Sequence, residues 1–362
     1  MRFLIFMGHP AHFHLFRFMI GALEKNGHQV KVLIRNKDIL EDLCQSSGLS
    51  VTNVLPEKRG KGLLSLTQSY ARKYRRISKI IREFKPDLLL GSEPSLVHLG
   101  KFYRIPSIIF SEDDAAIIQK FAKITYPFAD VILSPDSCNA GKWEYKKTGY
   151  HGFHKLTYLH PTVFSPDRDQ IPELGKDDFF ILRFAQLSAY HDTNRTGITK
   201  EIAAKLISIL KPYGKIYITA ERELEPEFEQ YRLALDPLKI HHALAFAKLY
   251  IGDSQSMAVE AALLGTPGIR FNDFAGEIGV LNELENTYGL TYGIKTNTPE
   301  KLYALTQELL ADRNLADNFR VKRKKLLDEK INVFDFFLWF IQNYPGSKEQ
   351  MKKDPNYQYR FK

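Results

Sequence analysis

Four clusters in this chain have residue types and spacings that could do chemistry. The first is Gly252-Asp-Ser-Gln-Ser256, set between a short apolar run, Leu249–Ile251, and a segment rich in small residues that ends at Gly265-Thr-Pro267. A buried strand turning through small polar residues into a helix leaves N–H groups without intrahelical acceptors, and the helix dipole adds partial positive charge there. Phosphate is the natural guest of such a turn. The other three follow apolar runs in the first half: Gly8-His-Pro-Ala-His-Phe-His14, Ser92-Glu93-Pro94 and Ser111-Glu-Asp-Asp114. Histidine titrates near neutrality, so His12 or His14 suits acid–base work or substrate hydrogen bonding, or else caps or packs the helix that follows. Glu93 and Glu112 are the matching carboxylates, and the acidic run after Glu112 reads equally as a helix cap. Three histidines on a loop entering a helix, with no carboxylate partner, do not make a metal site, and no metal is expected. No Gly-x-Gly-x-x-Gly pattern accompanies them, which speaks against a dinucleotide cofactor in this half.

These clusters need strands to carry them. Apolar runs at Arg2–Met7, Gln29–Arg35, Ser50–Leu55, Asp87–Gly91, Ser107–Phe110 and Val131–Ser134 alternate with helical patterns. This alternation predicts a doubly wound parallel sheet, whose ligands bind at the carboxyl ends of strands. From Tyr145 to Pro166 the pattern loosens into an aromatic and polar stretch that reads as a linker. A second alternating series starts at Phe179 and carries Arg183, Gln186–Asp192 and Ala220-Glu221-Arg222 at its strand ends. Leu224–Leu235 and a long Pro299–Glu329 are expected helices. Ile331–Tyr344 is too apolar all round for a solvated helix and is expected to cross back onto the first domain. The expected division is therefore 1–165, 166–330, a crossover helix over 331–345 and a polar tail over 346–362.

At 362 residues and 44% hydrophobic, the chain is long enough for two domains with their own cores. Cys44 and Cys138 are its only cysteines, which excludes a disulfide framework and fits a reducing, cytoplasmic setting. No apolar run approaches the ~18 residues of a membrane span. Of a net charge of +9, the stretch Lys58–Lys85 holds ten basic residues against Glu83 alone, with apolar residues at helical spacing. This amphipathic basic helix is either a solvated face or a face for an anionic membrane surface or a phosphorylated or lipid-linked acceptor. No nucleic-acid motif accompanies it.

Pro10-Ala-His-Phe-His-Leu-Phe16, Glu83-Phe-Lys-Pro-Asp87, Arg104–Ile109, Gly149-Tyr-His151, Leu159-His-Pro161, Arg183, Ala189-Tyr-His-Asp192 and Met257–Pro267 together resemble an uncharacterised domain-of-unknown-function family of GT-B-like proteins. That family is related to UDP-N-acetylglucosamine 2-epimerases and GT-B glycosyltransferases. The resemblance implies two Rossmann-like domains facing a crevice, an acceptor domain first and a nucleotide-sugar domain second, with a UDP-linked sugar as substrate and no separate cofactor. It implies that Ser254, Ser256 and the Met257 backbone bind the donor diphosphate, that Glu260 holds the ribose hydroxyls and that Asp253 belongs to the nucleotide-sugar site. Ser256 and Glu260, four apart, share a helix face, and a carboxylate one turn below phosphate can accept from neutral hydroxyls. Arg183, Glu221 and Arg222 would complete the donor site, while His12, His14, Glu93 or Glu112 would deprotonate an acceptor hydroxyl. A glycosyltransferase is the first expectation; an epimerase using those carboxylates and His191, or a non-catalytic binding protein, is the alternative.

Overall fold

The computed structural model describes residues 1–35, 37, 39–57, 63–185 and 197–362, the side chains of 63–66 excepted. Lys58, Arg59 and Lys61 of the basic stretch, and residues 186–192 with His191, lie outside the described residues. The chain forms two compact units, Met1–Val163 with Ile331–Lys362, and Phe164–Lys330.

The first unit holds a seven-stranded parallel sheet of β1 Arg2–Met7, β2 Gln29–Ile34, β3 Thr52–Asn53, β4 Leu88–Leu90, β5 Ser107–Phe110, β6 Val131–Pro135 and β7 Lys147–Tyr150, in the order β3-β2-β1-β4-β5-β6-β7. Phe3 to Met7 are all fully buried, as a central strand covered on both faces requires. The strand order reverses between β1 and β4, so the Gly8 loop and the Ser92-Glu93 turn flank the switch point, and Ser111–Asp114 follows the neighbouring strand.

The second unit holds β8 Phe179–Phe184, β9 Lys215–Ala220, β10 Leu249–Gly252, β11 Gly268–Phe271 and β12 Tyr292–Ile294, in the order β12-β11-β10-β8-β9, also all parallel. Its switch point falls between β8 and β10, which puts the Asp253–Ser256 turn there. The fold is α/β with two Rossmann-like sheets.

The apolar helix, Val333–Gln342, packs on the helices Pro10–Lys25 and Leu156–Leu159 of the first unit. Its Phe337 ring lies 5.0 Å from Tyr150 and 5.3 Å from Phe110. The crossover expected from its all-round hydrophobicity is therefore present, and burial of its aromatic face is the reason.

Four expectations are corrected. Residues 346–362 are not a tail: Gly346–Lys353 is a helix and Pro355–Phe361 a 3-10 segment. Tyr357 stacks on Trp339 at 4.8 Å and Gln358 accepts from the His151 N–H at 2.6 Å, contacts hidden among charged neighbours in the sequence. The stretch from Tyr145 is no linker, because β7 forms the sheet edge and Tyr150 and Phe153 are fully buried. Pro299–Glu329 is two helices, Pro299–Ala311 and Leu315–Glu329. Asp312 accepts from the Asn314 N–H at 2.8 Å, a local turn that competes with helix continuation. Leu224–Leu235 is reduced to a 3-10 turn over Pro226–Tyr231.

Candidate functional site

In the second unit, β10 is buried throughout and delivers the chain to a turn that only glycine can start. A Cβ on Gly252 would lie 2.5 Å from the Tyr250 Oη and 2.7 Å from the Arg183 Cβ. Ser254 then caps the helix Gln255–Leu264, its Oγ accepting from the Met257 N–H at 3.4 Å. The N–H groups of Gln255 and Ser256 have no intrahelical acceptor by helix geometry, and Ser256 is exposed beside them. Ala258, Ala261 and Ala262 are fully buried, so the small residues let the helix close on the sheet. Ser254→Ala should lower the stability of this unit by about 1 kcal/mol through loss of the cap, measured by urea denaturation.

Glu260 is buried one turn below, with its Oε1 3.3 Å from the Nε2 of His241, itself 2% exposed.

The other donor-site candidates are placed differently from expectation. Asp253 does not face outward: its Oδ1 accepts from the Ala185 N–H at 2.6 Å and its Oδ2 from the Ile198 N–H at 3.1 Å. Burial pushes its carboxyl up to about 6, against the lowering effect of those hydrogen bonds. It clamps the end of β8 to the start of the following helix. Arg183 donates to Thr219 Oγ1 at 3.1 Å and pairs with Glu221. Arg222 donates to the Ile198 carbonyl at 3.0 Å and to Glu225 at 3.2 Å, over the Phe184 ring. Both arginines lie at the carboxyl ends of β8 and β9 with a carboxylate already in hand.

In the first unit, His9 caps the helix Pro10–Lys25, its Nδ1 accepting from the Ala11 N–H at 3.2 Å. The His12 Nδ1 accepts from the Gly8 N–H at 3.1 Å, which leaves the proton on Nε2. Burial, then His9, Arg35 and His154, push its pKa down to about 3. His12 is thus a neutral imidazole that offers a hydrogen bond, a donor rather than a base at Nε2. His14 is directed elsewhere, packed 5.5 Å from the Tyr158 ring. Two residues apart on a helix, the two histidines occupy different faces.

Glu93 is 4% exposed and bound on every side that matters. It accepts from Lys73 Nζ at 2.6 Å and from the Ser95 hydroxyl at 2.9 Å, and caps the helix Pro94–Tyr103. Burial alone would raise its pKa, but the charge and hydrogen bond of Lys73, with Arg35 and Ser95, outweigh it and hold the carboxyl below its ordinary value. A lowered, triply held carboxylate is a poor base in this state, and the contacts that hold it are those of a helix cap and a buried ion pair. Glu112 accepts from the His154 N–H at 2.8 Å and pairs with Lys155.

Arg35, Lys73, His154 and Lys155 are the partners that the sequence reading missed. Lys73 carried a signal: it lies four residues before Ile77 and eight before Ile81, on the buried stripe of a helix read as basic outside. His154 and Lys155 were obscured by the reading of their segment as a linker. Among the described residues no cluster of three His, Cys, Asp or Glu side chains could hold a metal ion.

The family described as "Protein of unknown function (DUF354)" matches residues 2–275. No curated protein matches the sequence. Among solved structures, the UDP-GlcNAc 2-epimerase from Neisseria meningitidis bound to UDP-GlcNAc is similar at a TM-score of 0.60 and 14% identity, over 91% of this chain and 100% of that one. The UDP-GlcNAc 2-epimerase from Methanocaldococcus jannaschii matches at 0.62 and 15%, over 90% and 99%. The spinosyn rhamnosyltransferase SpnG, complexed with spinosyn aglycone, matches at 0.59 and 13%, over 94% and 99%. These likenesses show the GT-B-type fold.

Proposed function

The chain belongs to the DUF354 family of proteins of unknown function, and we propose that it is a nucleotide-sugar-dependent glycosyltransferase of the GT-B type, acting in polysaccharide or glycoconjugate synthesis. The observation that carries this reading is the β10 turn, where a capped helix start at a sheet switch point has a buried glutamate one turn below. In this reading the donor diphosphate lies on the N–H groups of Gln255 and Ser256 and on the Ser256 hydroxyl. Glu260 accepts from the ribose hydroxyls, held in place by His241. Uridine is the favoured base, because the Neisseria enzyme of the same fold is bound to UDP-GlcNAc.

In the first unit His12 donates from Nε2 to an oxygen that gains charge, and Glu112 takes the acceptor proton. The carboxylate of Glu112 keeps lone pairs beyond those used by Lys155 and His154. The basic excess of the helix Leu63–Phe84 favours an anionic acceptor. No metal is assigned a part. Glu93 and Glu112, which follow the neighbouring strands β4 and β5, favour a second reading, a UDP-sugar 2-epimerase or hydrolase; a non-catalytic binder is the limit of both.

A thermal-shift panel of nucleotide sugars tests the donor site. A UDP-sugar at about 100 times its dissociation constant should stabilise the protein by about 2.7 kcal/mol, and Glu260→Gln should remove most of that shift. Silence across the panel would sink the reading, and a changed sugar in the absence of acceptor would replace transfer by epimerisation.

A further inference from the structure

We infer that the amino-terminal edge of the first unit's sheet is a docking face for an anionic lipid bilayer. The inference does not rest on the donor site proposed above. Three segments end at this edge: the helix Leu63–Phe84 runs into β4, the helix Pro94–Tyr103 into β5 and the helix Gln119–Thr125 into β6. Helices of a parallel sheet return the chain from the carboxyl to the amino ends of strands. The edge is therefore opposite to the strand ends that carry His12 and Glu112.

At this edge Phe102 is 76% exposed, Ile124 51% and Phe128 39%. His98 joins them into one patch. Its ring lies 4.5 Å from Phe128, its Nε2 is 2.6 Å from the Ile124 carbonyl oxygen, and Phe102 follows it by one helical turn. Arg82, Lys101 and Lys123 are exposed around the patch. The carboxylates of the same edge are turned to other partners: Asp87 accepts from the Arg2 N–H at 2.7 Å, Asp130 from the Ser107 N–H at 2.8 Å, and Glu83 lies 3.8 Å from Lys79.

Charge decides the occupant. A second copy of this face would oppose like charges. Separate apolar side chains, with Phe102 beside Lys101 and Ile124 beside Lys123, match a headgroup layer, where the apolar tips enter the acyl boundary and the cations stay with the phosphates. No helix among the described residues is long and apolar enough to cross a membrane, so the contact is peripheral. The basic character read from Lys58–Lys85 thus belongs in part to a surface spread over three helices. One of its lysines, Lys73, is withdrawn into the interior.

Co-sedimentation of the full chain with vesicles tests the face. Retention is expected on phosphatidylglycerol–phosphatidylcholine vesicles, falling with added salt, and is not expected on phosphatidylcholine alone. Phe102→Ser with Phe128→Ser should weaken it about tenfold or more, and Lys101→Ala and Lys123→Ala about fivefold each. Phe102, Lys101 and Lys123 are exposed, so an unchanged melting temperature is expected of variants at these three positions, and Phe102→Ser alone, which leaves the Phe128 contact with His98 in place, should weaken retention in the same sense. Phe102→Trp should shift its emission to the blue on anionic vesicles only. Failure to bind phosphatidylglycerol, full retention by the serine variant, or release by millimolar inorganic phosphate at constant ionic strength would each overturn the inference. Capture of an acidic protein with no vesicle binding would do the same. Nucleotide-sugar binding is read separately, so the failure of either proposal leaves the other standing.

Discussion

Replacing Lys73 by methionine should destabilise the first unit by about 3–5 kcal/mol. The lysine and Glu93 are 4% and 5% exposed and 2.6 Å apart. Removing the ammonium leaves a carboxylate in a low-dielectric site with only Ser95 and the more distant Arg35 to oppose it. Much of the cost is the stranded charge rather than the value of the pair itself. The double variant Lys73→Met with Glu93→Gln should therefore recover most of the loss, since the glutamine still caps the helix at Ser95 and leaves no buried charge. Urea denaturation of both single variants and the double variant closes the cycle. A loss below about 1 kcal/mol for Lys73→Met, the range of exposed ion pairs, would mean that water reaches the pair. The pair also sets an acid limb. Because the folded pKa of Glu93 is lowered, its contribution is complete above the ordinary carboxylate value and is lost as pH falls through the folded value.

The second unit should behave in the opposite sense and gain stability on mild acidification. Burial raises the Asp253 carboxyl from 3.8 to about 6, so between those values the folded chain holds a proton that the unfolded chain has released. Stability then falls as pH rises through this window, by roughly 3 kcal/mol for a change of this size. The penalty at neutral pH is tolerated because both oxygens accept backbone N–H groups, from Ala185 and Ile198. Asp253→Asn should flatten the pH dependence between the ordinary carboxyl value of 3.8 and the raised value of about 6. It should not be neutral in stability: the amide can accept one of the two N–H groups, but its own NH2 opposes the other. Denaturation midpoints of the two proteins across this range check the claim. Identical slopes would show that Asp253 is not the titrating group.

Both predictions concern residues whose types were evident in the chain and whose partners were not. Glu93 stood out as a carboxylate after a strand, and its location at the carboxyl end of β4 agrees with the alternating pattern. That it is neutralised by Lys73, twenty residues earlier, depends on how the basic helix is rotated against the sheet. Asp253 was legible as part of a strand-to-helix turn. Its inward rotamer depends on two backbone N–H groups at positions 185 and 198, which the sheet order brings beside β10.

The sequence by itself determined the alternation of strands and helices, hence two parallel sheets with polar clusters at strand ends, because burial on both faces demands apolar runs and helices must cover them. It also determined that a helix opens from the Gly252–Ser256 turn, because small polar residues between an apolar run and a helical pattern are a local signal of one turn. The return of Val333–Gln342 to the first unit followed from an apolar surface that water would not cover. The tertiary structure alone decided which charges are satisfied. His12 became a donor through a backbone N–H and nearby charges, and Glu112 was joined to His154 and Lys155 from a segment more than forty residues away. Pairing of this kind depends on strand order and helix rotation. Residue type records neither, and the low dielectric of the interior makes the outcome decisive for each group's charge.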